Sequence, residues 1–537
     1  VTPRQRWTLV ATIIGSGAVF LDGTIVNVAL PRIGQELPVS VVGVLEGQTY
    51  IVSGYLAVLA ALLILAGAMS DHFGRRRVFT IGLVSFAVTS ALCGLAPTME
   101  ALIVARLLQG AAGALLVPGS LSLITHAFKA DERARAFGIW ASATSGLVLL
   151  GPLLGGLLVD TAGWRFAFLI NVPVLAIALW ATRVHLVESR EDVSSARFDW
   201  LGSFVGAVAV GGLSFGLIRG QEREWADAIA WASLVIGTLA LIAFPILMAT
   251  RRDPLVPLDL FRSRTFSAIN LATFFLYGAL YVTFSYQGIV FQSVLGYTAL
   301  AAGAVSLPIG ISLTVLSTRI GSLVGRYGSR RFLTAGPLLM AAGVLWFTRL
   351  PADSAPWLAS IADPASLIPP PSTLVDVLPS IVLFGLGLSM VVAPLTSTLM
   401  SSVPGRFTGV GSAINNAISR VGQPLLGAII FITISATFYA TLGGLAPELD
   451  TTSGDVRRAF PPINPPAGGA NEAQIVAARQ ASIDAFHQAM FVSAALLAVA
   501  SAISFVGLRG AGCAARSTAG DDSTDEAARQ PVAVAGG

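Results

Sequence analysis

The sequence predicts an all-α polytopic membrane protein with fourteen transmembrane helices, and three observations carry that prediction. Hydrophobic residues make up 54% of the 537 residues and charged residues only 12%, with a mean hydropathy of +0.77. A water-exposed surface needs roughly 25% charged residues, so one large soluble domain is excluded. The same apolar excess excludes a disordered or collagen-like chain. Apolar runs of spanning length also recur along the whole chain, and about fourteen spans of ~21 residues account for an apolar share of this size. Finally, the basic residues fall mostly on one side of these runs, as they do in the loops of membrane proteins.

Six runs come first, near residues 8–30, 47–69, 78–96, 100–122, 136–159 and 166–183. Two more follow at 200–218 and 228–249. The last six lie near 267–292, 298–320, 332–349, 375–399, 408–437 and 486–508. The arrangement reads as a first six-helix bundle over 1–190, two intervening helices over 191–262 and a second six-helix bundle over 263–510. The polar tail 511–537 is expected to be disordered. The first run is too long for a secretory signal, carries Asp22 and lacks a small-residue cleavage site, so it reads as an uncleaved helix. Two connecting loops are long. One, 350–373, is rich in Pro, Ser and Asp; the other, 440–484, holds Pro461, Pro462, Pro465 and Pro466, then a stretch near 471–484 read as a short surface helix. With the N-terminus placed in the cytoplasm, 23 of the 33 Lys and Arg residues fall on the inner side and 8 on the outer, while Arg106 and Arg420 lie within spans. Both termini are then expected in the cytoplasm.

Composition also excludes function classes. The net charge of +4 reads as topology rather than nucleic-acid binding. Lys129, between Phe128 and Ala130, is the single lysine, so there is no Gly-Lys-Ser/Thr phosphate loop and an ATP-driven pump is not expected. The use of arginine in place of lysine hints at a GC-rich bacterial genome, and a bacterial plasma membrane is the expected location. Four histidines without His-x-x-x-His or Cys-x-x-Cys spacing give no metal site. Cys93 in an apolar run and Cys513 in the tail make neither a disulfide framework nor a redox pair. The spans hold no convergent set of catalytic groups, so an enzyme is not expected.

An internal repeat supplies the organisation. Residues 67–77 read Gly-Ala-Met-Ser-Asp-His-Phe-Gly-Arg-Arg-Arg and residues 321–331 read Gly-Ser-Leu-Val-Gly-Arg-Tyr-Gly-Ser-Arg-Arg, each after the second span of its half. Gly151-Pro152-Leu153-Leu154-Gly155 echoes Gln423-Pro424-Leu425-Leu426-Gly427 in the fifth spans. Two parallel six-helix repeats are the plan of a secondary transporter with its site between the halves. In the first basic loop, Gly67 permits close helix approach, Gly74 a tight turn, and Asp71 pairs with Arg75 or Arg76 or caps a helix. Such a loop either sets topology or serves as a two-state cytoplasmic gate.

These strings resemble the signatures of the major facilitator superfamily. Gly67, Asp71, Gly74, Arg75 and Arg76 resemble its loop signature, and Arg106, Gln109, Gly110 and Gly113 its fourth-helix signature. Gly146, Gly151, Pro152, Gly155 and Gly156 resemble its fifth-helix antiporter motif. The string Leu21 to Pro31, with Asp22 and Asn27, is similar to the first helix of the fourteen-helix drug:proton antiporters, the EmrB/QacA type. Gln292, Gly296, Tyr297, Gly303 and Pro308, then Gly411, Asn415, Asn416, Arg420 and Gly422, agree with it. Two positions depart: Tyr50 stands where the family often has Trp, and Gly325 replaces the acid of the second loop. The resemblance implies export of amphipathic small molecules by alternating access, with H⁺ as coupling ion, no bound cofactor and a monomer as the working unit. The alternative is a solute importer or symporter of the same fold.

Depth arithmetic sharpens the charges. Asp22 lies ~15 residues into the first span, ~22 Å from the inner face at ~1.5 Å per residue. Arg106 is ~7 residues into a span running the other way, ~10 Å below the outer face. The two sit at similar depth in a core of ~30 Å. A charge there costs ~3 kcal/mol and needs a partner or a wet cavity. The pair reads either as a structural bond between two helices or as a protonation switch, in which desolvation lets Asp22 carry a proton. Asn27, Gln109, Tyr281, Tyr286, Asn415 and Asn416 are the candidates for lining a substrate cavity. The tyrosines belong to an aromatic-rich ninth span that suits flat or cationic guests.

Overall fold

The computed structural model describes residues 2–188, 199–251, 254, 256–403 and 408–508. Within them the chain forms α1 (Pro3–Glu36), α2 (Val44–Phe73), α3 (Arg75–Gly94), α4 (Met99–Ala127), α5 (Ala130–Thr161), α6 (Arg165–Leu169) and α7 (Asn171–His185). Next come α8 (Trp200–Glu222) and α9 (Ala228–Thr250). The second half holds α10 (Arg264–Ile289), α11 (Ala299–Ala304), α12 (Leu307–Tyr327), α13 (Ser329–Trp346), α14 (Leu378–Ser401), α15 (Thr408–Leu445), α16 (Gly454–Ala459) and α17 (Glu472–Gly507). Thirteen helices among the described residues are long and apolar enough to cross a membrane, with α6 and α7 joined into one span. The fifth place in the series belongs to α5, whose apolar stretch is Gly146–Thr161.

The all-helical membrane architecture read from the sequence is present, with one local correction. The stretch near 471–484 is not a separate surface helix but the first part of α17, which runs unbroken to Gly507. Asn471 caps it: its side chain accepts from the Gln474 N–H at 2.9 Å, and Gln474 returns a bond to the Asn471 N–H at 3.2 Å. Ala477, Ala478, Ala481 and Ala485 then give a buried face of strong helix formers. The tail 511–537 lies outside the described residues.

The internal repeat has a structural counterpart. Gly74 turns α2 into α3 at φ +103°, and Gly328, its match in the repeat, turns α12 into α13 at φ +80°. Both occupy a region that residues with a Cβ rarely adopt. Close helix packing also depends on small residues. A Cβ at Gly110 of α4 would stand 2.5 Å from the Tyr55 carbonyl of α2, and one at Gly422 of α15 would collide with the Phe274 carbonyl of α10. The intervening α8 packs against both α2 and α15, and α9 packs on α8. Outward from α9 point Leu239, Ile242 and Ile246, each more than half exposed. Such a face is stable only where the solvent is lipid.

Candidate functional site

Five helices of the first half converge on one buried polar network. From α1 comes Asp22, and from α4 come Arg106 and, one turn on, Gln109. Ser90 and Cys93 project from α3, and Asn171 opens α7. Asp22 and Gln109 are 0% exposed and Arg106 is 1% exposed. Arg106 Nη1 donates to Asp22 Oδ2 at 2.5 Å and to Gln109 Oε1 at 2.7 Å. Gln109 Nε2 donates to Asp22 Oδ1 at 3.0 Å and to Ser90 Oγ at 2.8 Å. Asn171 Nδ2 reaches the same Oδ1 at 3.3 Å and Ser90 Oγ at 3.0 Å. Arg106 Nε donates to the Ile51 carbonyl at 3.2 Å, and its guanidinium lies 4.0 Å from the centre of the Tyr55 ring.

Both carboxylate oxygens are therefore held by donors, and the cation has an anion, two carbonyl-type acceptors and a π face. That arrangement offsets the cost of burying two charges. A proton on Asp22 would cancel the Coulomb attraction to Arg106 and force the acid to find an acceptor among groups now donating to it.

The structure separates the six cavity candidates. Gln109 belongs to the network just described. Asn27 and Tyr286 lie where the halves meet: Asn27 Oδ1 accepts from Ser285 Oγ at 3.1 Å, and the Tyr286 hydroxyl is 3.5 Å from Thr49 Oγ1. Asn415 is buried in the second half, its Nδ2 donating to Asn270 Oδ1 and Thr273 Oγ1, each at 3.0 Å. Asn416 bonds the Ser412 carbonyl of its own helix at 3.0 Å. Tyr281 is partly buried beside Tyr277, ring centres 6.1 Å apart. Arg420 comes within 5.8 Å of the Phe20 ring of the first half.

The antiporter-type glycines divide by partner. A side chain at Gly151 would strike Thr24 of α1, and one at Gly155 would stand 3.0 Å from the Ile25 carbonyl, so both fix α5 on α1. One at Gly156 would collide with the Ala299 carbonyl of α11, and one at Gly303 with the Pro152 carbonyl. Gly156, Pro152 and Gly303 thus form a backbone-to-backbone seam between the halves. Around Gly146 a Cβ would find nothing within 4 Å.

The same end of the molecule carries further contacts between halves. Asp160 accepts from the Ala299 and Leu300 N–H groups at 3.2 and 2.7 Å. Gln48 and Asn464 exchange two hydrogen bonds of 3.0 Å, and Gln292 donates to the Val28 carbonyl at 2.9 Å.

At the opposite, arginine-rich end the loop candidates meet the first half's own helices. Arg75 Nη1 stands 2.7 Å from His126 Nδ1 of α4, and Arg76 donates to the Arg183 carbonyl of α7 at 2.9 Å. Glu188 accepts from the Arg76 and Arg77 N–H groups at 3.0 and 3.1 Å, closing the N-terminus of α3. Gly67 lies 3.6 Å, measured from a built Cβ, from Pro118 of α4. The Asp71 side chain lies outside the described residues.

Sequence reasoning missed Ser90, Asn171 and Tyr55 as members of the network. For Asn171 the signal was present: a lone amide in an apolar span needs a polar partner.

A profile of the Major Facilitator Superfamily matches residues 12–427. The chain is 33% identical over 454 residues to the multidrug resistance protein Stp of Mycobacterium tuberculosis, covering 83% of this chain and 79% of that protein. It is 33% identical to the tetracenomycin C resistance and export protein of Streptomyces glaucescens, over 80% of this chain and 76% of the other. It is 32% identical to the puromycin resistance protein pur8 of Streptomyces alboniger, over 81% and 82%. Among solved structures, a bacterial homolog to the human lysosomal transporter Spinster matches with TM-score 0.63 and 17% identity, over 95% of this chain and 98% of that one. The POT family transporter PepTSo matches with TM-score 0.61 and 14% identity, over the same shares. At these identities the structural likeness is one of fold.

Proposed function

The chain belongs to the major facilitator superfamily, and from that premise we propose that it exports amphipathic small molecules, drugs or antibiotics, in exchange for protons. It is a multi-pass membrane protein, and its relatives include multidrug and antibiotic resistance proteins. The observation that carries the coupling is the buried Asp22–Arg106 pair, with exposures of 0% and 1%. Its cost in lipid favours a role in which one charge is cancelled on each cycle.

The mechanism follows from the two ends. The bias of basic residues supports a cytoplasmic arginine-rich face, with both termini there. The seam of Gly156, Pro152 and Gly303 then closes the outer side, and the space between the halves opens inward to receive substrate. Outward opening parts that seam and brings the cytoplasmic loops together, where Asp71, Arg75 and Arg76 act as a gate. A proton arriving at Asp22 releases Arg106 and loosens α1 from α4, and its loss restores the pair. Ligand and proton each bias the two-state equilibrium through their differential affinity for its two forms. The working unit is one chain.

The test compares cells with and without the chain against a panel of amphipathic antibiotics. Lower accumulation of at least one compound, abolished by a protonophore, is the expected result. Raised accumulation would identify an importer and overturn the reading.

A further inference from the structure

At the outer end, where α2, the intervening α8 and the loop carrying α16 meet, lies a second buried charged cluster that the transport reading does not use. Glu46 of α2 is 0% exposed. Its Oε2 accepts from the Gly43 N–H at 2.9 Å, while its Oε1 is buried with no hydrogen-bond partner. The Tyr50 hydroxyl, which donates to the Phe215 carbonyl at 3.2 Å, lies beside this carboxyl group. From α8, Glu222 approaches the same Gly43, where a Cβ would collide with its Oε1; its Oε2 is likewise buried and unpartnered. Gly43 therefore has on either side of it the buried carboxyl group of Glu46 and the half-buried one of Glu222, whose Oε2 atom is itself shut off from solvent.

The surrounding charges are committed elsewhere. Arg219 pairs with Asp227 at 2.6 Å. Arg457 pairs with Glu224, donates to the Gln221 carbonyl at 3.3 Å and lies 4.3 Å from the Tyr439 ring centre. Arg223 donates to the Val41 carbonyl at 2.6 Å. The cluster thus sets Glu46, Glu222, Glu224 and Asp227 against Arg219, Arg223 and Arg457, which leaves one negative charge in excess. Glu224 and Trp225 sit at φ +51° and +62°, a strained turn that these contacts hold in place. Arg457 and Tyr439 belong to the second half and Glu46 to the first, so the cluster spans the seam.

We propose that Glu46 and Glu222 form a second proton-binding site, distinct from Asp22, that holds one proton between them while the outer seam is closed. The proton removes the excess charge and neutralises one of the two carboxylates flanking Gly43. Its loss leaves two like charges on either side of Gly43, which favours parting α8 from α2.

The experiment is infrared difference spectroscopy on the full chain in lipid nanodiscs at neutral pH. It uses an Asp22→Asn background, so the transport site does not contribute. The expected result is a protonated-carboxyl band that is lost or shifted in both Glu46→Gln and Glu222→Gln, because each substitution removes or alters the neighbour of the proton-carrying acid. Elution as a monodisperse peak shows that each variant is folded. A band unchanged in both variants overturns the proposal. So does the absence of the band from the starting protein; a rise in melting temperature with sodium at constant ionic strength would then identify a cation in place of the proton.

Discussion

In the first half, Asp22 and Arg106 bury a full ion pair among Gln109, Ser90 and Asn171, whereas the second half buries Asn415 against Asn270 and Thr273 with no charge involved. Neutral amides and hydroxyls are enough to knit transmembrane helices together. The charged network costs more to bury and, against well-packed neutral residues, adds little net stability. Helix packing alone therefore gives no reason for the charge in the first half. The seam makes the opposite point: there the halves contribute alike, Gly156 from one and Gly303 from the other.

The largest expected effect breaks the charged side of this comparison. Arg106→Gln leaves the buried Asp22 without its counter-ion, at a cost of about 3–5 kcal/mol. Denaturation in lipid or mild detergent should show that loss. The double variant Asp22→Asn with Arg106→Gln should regain most of the stability yet remain inactive in drug export.

Next comes the seam. Gly156→Leu overpacks the contact with Ala299 by about 2 kcal/mol, lowering the population in which the seam is closed about thirty-fold. Gly303→Leu should do the same from the other half. Labelling of a cysteine engineered beside the seam reports both. Gly146→Ala, with open space around it, should leave transport unchanged.

A smaller effect is expected at Asp160, which caps α11 across the seam. Asp160→Ala removes a helix cap worth about 1 kcal/mol, and export should slow by several-fold at most. Smallest of all is the neutral network. Asn270→Leu combined with Asn415→Leu replaces both partners by apolar groups and should change stability by less than about 1 kcal/mol. The proton-to-drug ratio should not move, and a shift in that ratio would erase the contrast between the halves.

Much of this was legible in the sequence because membranes make strong demands on it. Hydropathy gives the spans, the repeat gives the halves, and Gly74 and Gly328 are needed where their turns require positive φ. Asp22 and Arg106 could be placed at one depth because helix rise is fixed. Which polar groups surround them could not be read in the same way: Asn171 stood out as a lone amide in an apolar span, but its partner, and the whole of Ser90's part, depend on the rotation of α3 and α7. The seam was legible only in part, for a related reason. Gly151 and Gly156 belong to one motif, yet the first packs within its half and the second across to Ala299, and only the docking of the halves decides which. The unbroken α17 was missed because its first part was assigned to the long loop 440–484.

The central claim is that Asp22 carries the coupled proton, and proton release from inside-out vesicles upon drug addition tests it most directly. Wild-type vesicles preloaded by an imposed pH gradient should release protons when drug is added. Asp22→Asn vesicles holding equal amounts of inserted protein should release none while still binding drug. Undiminished drug-driven proton release by the Asn variant would contradict the account.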